Sequence, residues 1–203
     1  MAGISVGQMA PSFRLPSGQG AEVGLEDYRG RKHVILWFTK GMACPFCRQQ
    51  MSQLARAYEA FRARDAEILE VTNTPPERAR VYVQKFALPF PYLCDPDFRV
   101  RQTWKLDARS HGIGYYAKMM YLGMTMTKPP TDYEGEKAKL SEMPSLLADE
   151  DMGFFIVDKQ GIVRYALGGA YLTEAGMRTI PSNDEILREL ERCQQPAPRA
   201  ETA

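Results

Sequence analysis

The stretch Trp37-Phe38-Thr39-Lys40-Gly41-Met42-Ala43-Cys44-Pro45-Phe46-Cys47-Arg48 joins an apolar run to a C-x-x-C pair. Upstream, Val34, Ile35 and Leu36 extend the run into a near-continuous apolar segment over His33–Thr39. That pattern predicts a strand buried on both faces of a sheet. Downstream, Pro45 suits the first position of a helix, where its missing N–H costs nothing. Met51, Leu54, Tyr58 and Phe61 then recur at spacings of three and four, one apolar stripe on a helix expected over Pro45–Arg64.

Cys44 therefore falls at a helix N-terminus. The positive end of the helix dipole and the free backbone N–H groups there favour a thiolate. Lys40 and Arg48 add positive potential, and Pro45 presets the turn. Cys47, one turn further in, is expected to be more buried and less acidic. Positions i and i+3 of a helix lie about 5–6 Å apart at Cβ, and a disulfide needs about 3.8 Å. A small local adjustment closes that gap, so the pair suits reversible dithiol–disulfide chemistry. A zinc half-site would need two further ligands in a compact arrangement. Cys94 and Cys193 are isolated, and the histidines, His33 and His111, are far apart in sequence.

Working outward, short strands are expected near Ser12–Leu15 and Ala21–Leu25, then a turn over Leu25–Gly30. Ala66–Thr72 reads as a second buried strand. Asn73-Thr74-Pro75-Pro76-Glu77 opens a helix reaching about Phe86. Pro91–Cys94 reads as a short strand, and a helix follows Asp95-Pro96-Asp97 toward Trp104. Gly153–Asp158 and Ile162–Leu167 form a hairpin turned at Lys159-Gln160-Gly161. Ile180–Cys193 closes the fold as a helix, with Ser182 or Asn183 as its cap. The order β-β-α-β-α-β-α, hairpin, helix argues for an α/β sandwich around a mixed sheet.

Residues 107–149 interrupt this alternation as an insertion before the late hairpin. They hold Gly112-Ile113-Gly114-Tyr115-Tyr116 and the methionines 119, 120, 124 and 126. The run Tyr115–Met126 is apolar enough to lid the site or to form a homodimer contact, and Met commonly fills irregular gaps. The expected organisation is one domain over residues 1–193 and a flexible tail over 194–203.

Bulk properties narrow the function classes. The 203 residues are 44% hydrophobic and 25% charged, with 26 basic and 25 acidic side chains and a formal net charge of +1. Such a balance gives no surplus that favours nucleic acid or an anionic membrane. The longest unbroken apolar run, Val34–Phe38, is far short of a membrane span. Met1–Val6 shows no basic segment leading into an apolar one, so localisation defaults to the cytoplasm. In that reducing compartment a closely spaced cysteine pair reads as catalytic or metal-binding rather than as a structural staple.

Several ordered segments resemble the peroxiredoxin-like (alkyl hydroperoxide reductase / thiol-specific antioxidant) branch of the thioredoxin fold. Gly7-Gln8-Met9-Ala10-Pro11-Ser12-Phe13-Arg14-Leu15 is similar to the family's G-x-x-A-P-x-F-x-L entry. Leu25–Lys32 resembles the segment before its central strand. Phe90-Pro91-Tyr92-Leu93-Cys94-Asp95-Pro96 resembles its F-P-x-L-x-D-P step, and Gly153–Arg164 its late hairpin. The resemblance covers roughly residues 5–105 and 150–193 and implies a thioredoxin-like three-layer sandwich with no cofactor. By it Cys44 matches the peroxidatic cysteine, and Cys47 is the resolving cysteine of relatives that carry both thiols in one C-x-x-C.

The active-site pattern P-x-x-x-T-x-x-C is altered. Trp37 stands at the proline position and Gly41 at the threonine position, with Thr39 displaced by two. Met152 stands where the family places an arginine before the late strand. Lys40, Arg48 and Arg164 are the candidate substitutes. Three activities follow. One is a thiol peroxidase taking electrons from thioredoxin, glutaredoxin or glutathione. Another is a thioredoxin- or glutaredoxin-like reductase of disulfides, since C-P-F-C resembles the glutaredoxin dipeptide class. The third is a non-enzymatic copper carrier using Cys44, Cys47 and soft ligands of the insertion such as its methionines or His111.

Overall fold

The computed structural model describes residues 4–106, 114, 121, 132–133, 152–168, 171–173, 176–178 and 180–194. Among them, five strands form a mixed sheet in the order β5-β4-β3-β6-β7. These are β3 (His33–Thr39), β4 (Ala66–Thr72), β5 (Tyr92–Cys94), β6 (Gly153–Val157) and β7 (Val163–Gly168). β3 runs parallel to β4, and β4 to β5; β6 is antiparallel to β3, and β7 to β6. Hairpins β1 (Arg14–Pro16)–β2 (Glu22–Gly24) and β8 (Tyr171–Thr173)–β9 (Gly176–Arg178) lie outside this sheet.

β3 is central and every one of its residues is buried. Its alternation sends Ile35 and Trp37 into one core, and Val34, Leu36 and Phe38 into the other. The first core is closed by α1 (Pro45–Arg56), α2 (Tyr58–Arg62), α3 (Pro76–Phe86) and the C-terminal helix α5 (Asn183–Gln194). These contribute Met51, Leu54, Phe61, Tyr82, Ile186 and Leu190. The second core is covered by Val100 of α4 (Arg99–Thr103), by Trp104, and by Leu15 and Leu25 from the N-terminal segment. Phe38, Trp104 and Phe155 stack there with centroids 4.8–6.1 Å apart. The result is the three-layer α/β arrangement expected from the sequence.

Most expected elements appear within a residue or two of their sequence bounds, and β3 and β4 match them fully. The helix expected over Pro45–Arg64 is instead two. α1 ends at Ala57 (φ −100°, ψ 3°), whose N–H bonds the Leu54 carbonyl at 3.2 Å, and α2 resumes at Tyr58. Apolar periodicity reports which face is buried. Met51, Leu54, Tyr58 and Phe61 stay on that face across the break, so the stripe does not show the interruption. The β8–β9 hairpin was not anticipated. At the last helix Ser182 takes the capping role: its Oγ accepts the Glu185 N–H at 3.3 Å, and its own N–H donates to Glu185 Oε2 at 2.7 Å.

The insertion over 107–149 lies outside the described residues except for Gly114, Tyr121, Asp132 and Tyr133, as do its methionines, His111 and the tail beyond Gln194. Asp132 meets Arg56 of α1 at 3.1 Å. Tyr133 is buried edge-on against Phe86 of α3.

Candidate active site

The chain leaves β3 at Thr39, turns at Gly41, forms a 3₁₀ turn over Gly41–Ala43 and enters α1 at Cys44. Cys44 has extended backbone (φ −87°, ψ 119°) and occupies the N-cap, with Pro45 at the first helical position. Its Sγ accepts the Cys47 N–H at 3.4 Å, the bond an N-cap serine or aspartate would accept. Both thiols are free.

The two cysteines sit in opposed electrostatic settings. The Cys47 thiol hydrogen-bonds to Cys44, the N–H groups of Cys47 and Phe46 point at it, and the Lys40 charge acts on it; together they outweigh burial and lower the Cys44 pKa to about 7. Burial, then the hydrogen bond and charge of Cys44, hold Cys47 well above the ordinary thiol range. Cys44 retains 8% exposure, whereas Cys47 has none. One thiol is thus the more acidic of the two and keeps slight exposure, while the other is fully buried and held less acidic.

The identity of residue 41 has a steric cause. Gly41 has φ +68°, and a Cβ there would lie 2.3 Å from the Tyr92 hydroxyl and 2.7 Å from Thr74 Oγ1. A threonine does not fit beneath this loop. A hydroxyl cluster from the neighbouring strands supports it instead. Tyr92 Oη accepts the Met42 N–H at 3.1 Å and lies 2.9 Å from Thr74 Oγ1. Thr72 Oγ1 accepts the Thr74 N–H at 3.1 Å.

The other candidate residues are spread around this loop. Thr39 is fully buried; its Oγ1 accepts the Gly41 N–H at 3.2 Å and its hydroxyl meets the Cys47 thiol. Lys40 is half-buried, and its charge favours the Cys44 thiolate. Arg48 donates to the Met42 carbonyl at 3.0 Å and so clips the 3₁₀ turn to α1. Arg164 is not near Cys44. It sits at the start of β7, bonded to Asp158 at 2.6 Å. There Val157 pairs with Val163 and Val34, at the end of the sheet away from Thr39. Antiparallel pairing brings the N-terminal end of β6 to the Thr39 end of β3, where Gly153 pairs with Phe38 and Met152 immediately precedes it.

The model of the AhpC/TSA family matches residues 6–166. The chain is a member of the AhpC/TSA family. It is 29% identical over 111 residues to the chloroplastic peroxiredoxin Q of Populus jackii, which spans 55% of this chain and 52% of that protein. Against the chloroplastic peroxiredoxin Q of Gentiana triflora it is 28% identical over 111 residues, 55% of this chain and 51% of that one. The chain thus spans about half the length of these curated relatives. The crystal structure of peroxidoxin BcpB from Mycobacterium tuberculosis superposes with a TM-score of 0.64 over 95% of this chain and 99% of that one, at 14% identity. A reduced 2-Cys peroxiredoxin of Plasmodium vivax superposes with a TM-score of 0.62, covering 93% and 96%, at 19% identity. At these identities the structures show a shared fold.

Three features of this AhpC/TSA chain escaped the sequence reading. Tyr92 and Thr74 carry the loop, and only the strand order brings them under it. Arg101, 1% exposed, reaches from α4 on the opposite layer to donate to the Thr39 carbonyl at 2.8 Å. Glu70 lies wholly inside the core that holds the two cysteines' layer. Of the remaining cysteines, burial pushes Cys94 up to about 12 and Cys193 up to about 11, which leaves both as thiols at neutral pH. Among the described residues no group of three His, Cys, Asp or Glu side chains is placed to hold a metal, and no helix is long and apolar enough to cross a membrane.

Proposed function

We propose that this chain is a thiol peroxidase that reduces hydroperoxides through a Cys44–Cys47 dithiol–disulfide cycle. The observation that carries this reading is the N-cap thiol of Cys44, lowered to about 7 beside a fully buried Cys47. The Cys44 thiolate attacks a peroxide oxygen, the O–O bond breaks, and the departing alkoxide or hydroxide takes a proton. Cys44 is left as a sulfenic acid. The Cys47 sulfur then attacks it, water departs, and a disulfide forms at the helix start. An external thiol, from thioredoxin, glutaredoxin or glutathione, restores the pair. AhpC/TSA membership and the likeness to peroxiredoxin Q support this direction of chemistry. A reducing compartment such as the cytoplasm suits two free thiols.

The decisive measurement is the second-order rate of hydrogen peroxide with the reduced protein, followed by stopped-flow, against free cysteine at the same thiolate concentration. A large excess supports the peroxidase. Equality leaves the reductase of disulfides, which the absence of a threonine at Gly41 and of an arginine at Met152 favours. In that reading Cys44 forms the mixed disulfide and Cys47 releases it. A copper carrier would need ligands beyond the pair, and those named for it, His111 and the insertion's methionines, lie outside the described residues.

A further inference from the structure

Asp132 and Tyr133, two residues of the 107–149 insertion, connect α1 with α3. Both Asp132 carboxylate oxygens accept from the Arg56 guanidinium at 3.1 Å, and the Asp132 N–H donates to Ser52 Oγ at 2.9 Å. Tyr133 is 6% exposed and belongs to the same apolar core as Cys44 and Cys47. Its ring meets Phe86, the last residue of α3, edge-on with centroids 5.7 Å apart. Burial pushes the Tyr133 hydroxyl up to about 12, with a charge at Glu70 or Asp132 acting the same way and Arg56 opposing, so the ring enters the core neutral. These contacts carry different weights. The Arg56–Asp132 pair is more than half exposed on both sides and contributes little. Ser52 is buried, so its hydroxyl needs partners inside, and the Tyr133 ring takes a large apolar area out of water. The grip on α1 therefore comes from Ser52 and from the ring.

A continuous line of hydrogen bonds runs from this grip to the thiols. Ser52 Oγ accepts the Asp132 N–H and donates to the Arg48 carbonyl at 3.1 Å, one turn back along α1. Arg48 donates through Nη1 to the Met42 carbonyl at 3.0 Å. Met42 lies in the 3₁₀ turn that delivers Cys44. Cys44 itself is tied to that turn, its N–H donating to the Gly41 carbonyl at 3.1 Å. The groups that favour its thiolate are elsewhere. The Cys47 thiol and the N–H groups of Cys47 and Phe46 ride on α1, and Lys40 comes from the loop. The Cys47 N–H reaches Cys44 Sγ at 3.4 Å. The sulfur is thus held by the turn and its donors by the helix. The setting of α1 against the turn decides whether they meet.

We propose that Asp132, through its N–H to Ser52, and Tyr133, through its buried ring, are positioning residues of the Cys44–Cys47 pair: they brace α1 against α3 so that its first N–H groups stay on the Cys44 sulfur. They act through Ser52, Arg48 and the 3₁₀ turn, and on no reacting atom. In this role the insertion serves the chemistry from behind the redox helix, at the second and third turns of α1, where Ser52 and Arg56 stand. The inference rests on the dithiol site proposed above.

The test is the pH profile of Cys44 alkylation by iodoacetamide in the reduced full-length protein, read at the Cys44 peptide by mass spectrometry, with the urea midpoint measured in parallel. Ser52→Ala removes the acceptor of the Asp132 N–H and puts a better helix former in α1, so the helix itself is not weakened. Its alkylation midpoint should rise by about one pH unit, which slows alkylation at pH 6 about tenfold. Tyr133→Ala should shift the profile the same way. Tyr133→Phe keeps the ring on Phe86 and should return the wild-type profile. Asp132→Asn keeps the N–H, loses only the exposed ion pair, and should leave the profile in place. Gln53→Ala is the control from the same helix. The Gln53 amide donates to the Pro181 carbonyl, on the side of α5. Its loss should lower the urea midpoint without moving the alkylation profile. A wild-type profile in both Ser52→Ala and Tyr133→Ala overturns the proposal. So does a Gln53→Ala profile displaced as far as theirs, since any loosening of α1 would then do the same. If the wild type itself titrates as a free thiol, the dithiol site fails and the brace with it. If the wild type titrates near pH 7 and Ser52→Ala and Tyr133→Ala titrate with it, only the brace fails.

Discussion

At position 41 a single hydrogen atom in place of a methyl group decides the shape of the site. Gly41 combines φ +68° with a hydroxyl 2.3 Å from where a Cβ would stand. Gly41→Ala should cost about 2–5 kcal/mol, the sum of left-handed strain and overpacking, and should be read by urea denaturation. Displacing Tyr92 also removes the acceptor of the Met42 N–H, so the same variant should lose the low Cys44 pKa. For Cys44 the sign of the pH dependence is fixed by its thiolate. With a pKa lowered to about 7, alkylation by iodoacetamide should be half-maximal near pH 7. It should fall tenfold for each unit below, to about a hundredth at pH 5. A midpoint near that of a free thiol would remove the chemical basis of the site. Cys47→Ser should still be oxidised by peroxide at Cys44 and should stop at the sulfenic acid, detectable by dimedone labelling.

Elements differ in how openly their sequences announce them. β3 and β4 were legible because a strand covered on both faces must be apolar throughout, and such a run is a local signal. α1 was legible at its start, where Pro45 follows Cys44, and not at its end, where the break at Ala57 leaves the apolar face intact. β8 and β9 lack such a run and did not stand out. The cap of α5 was readable, since Ser182 followed by Glu185 spells a reciprocal cap. Ser182→Ala should lower stability by about 1 kcal/mol. The urea midpoint should fall with the slope unchanged and peroxide reactivity unaltered, because the start of α5 meets α1 at Gln53, past the turn that holds the thiols.

Across the whole molecule, the site depends on contacts between layers. Arg101 crosses from α4 to the end of β3, with its guanidinium beside the Phe38 and Phe98 rings, and donates to the Thr39 carbonyl. Arg101→Leu leaves that buried carbonyl without this donor. It should cost about 1–3 kcal/mol and slow Cys44 oxidation, because Thr39 anchors both the Gly41 turn and Cys47. A loss of stability with an unchanged peroxide rate would show that the contact serves the fold alone. The sequence by itself determined the central strand, the helix that starts at Pro45, and the placement of Cys44 where that helix offers its free N–H groups. Each of these is written in neighbouring residues and their spacing. Tertiary structure decided the rest: that Tyr92 and Thr74 exclude a side chain at Gly41, that Arg101 meets Thr39, that Arg164 lies at the wrong end of the sheet, and that Glu70 shares a core with the thiols. Those facts depend on strand order, direction and register, which pair residues far apart in the chain and leave no local pattern in it.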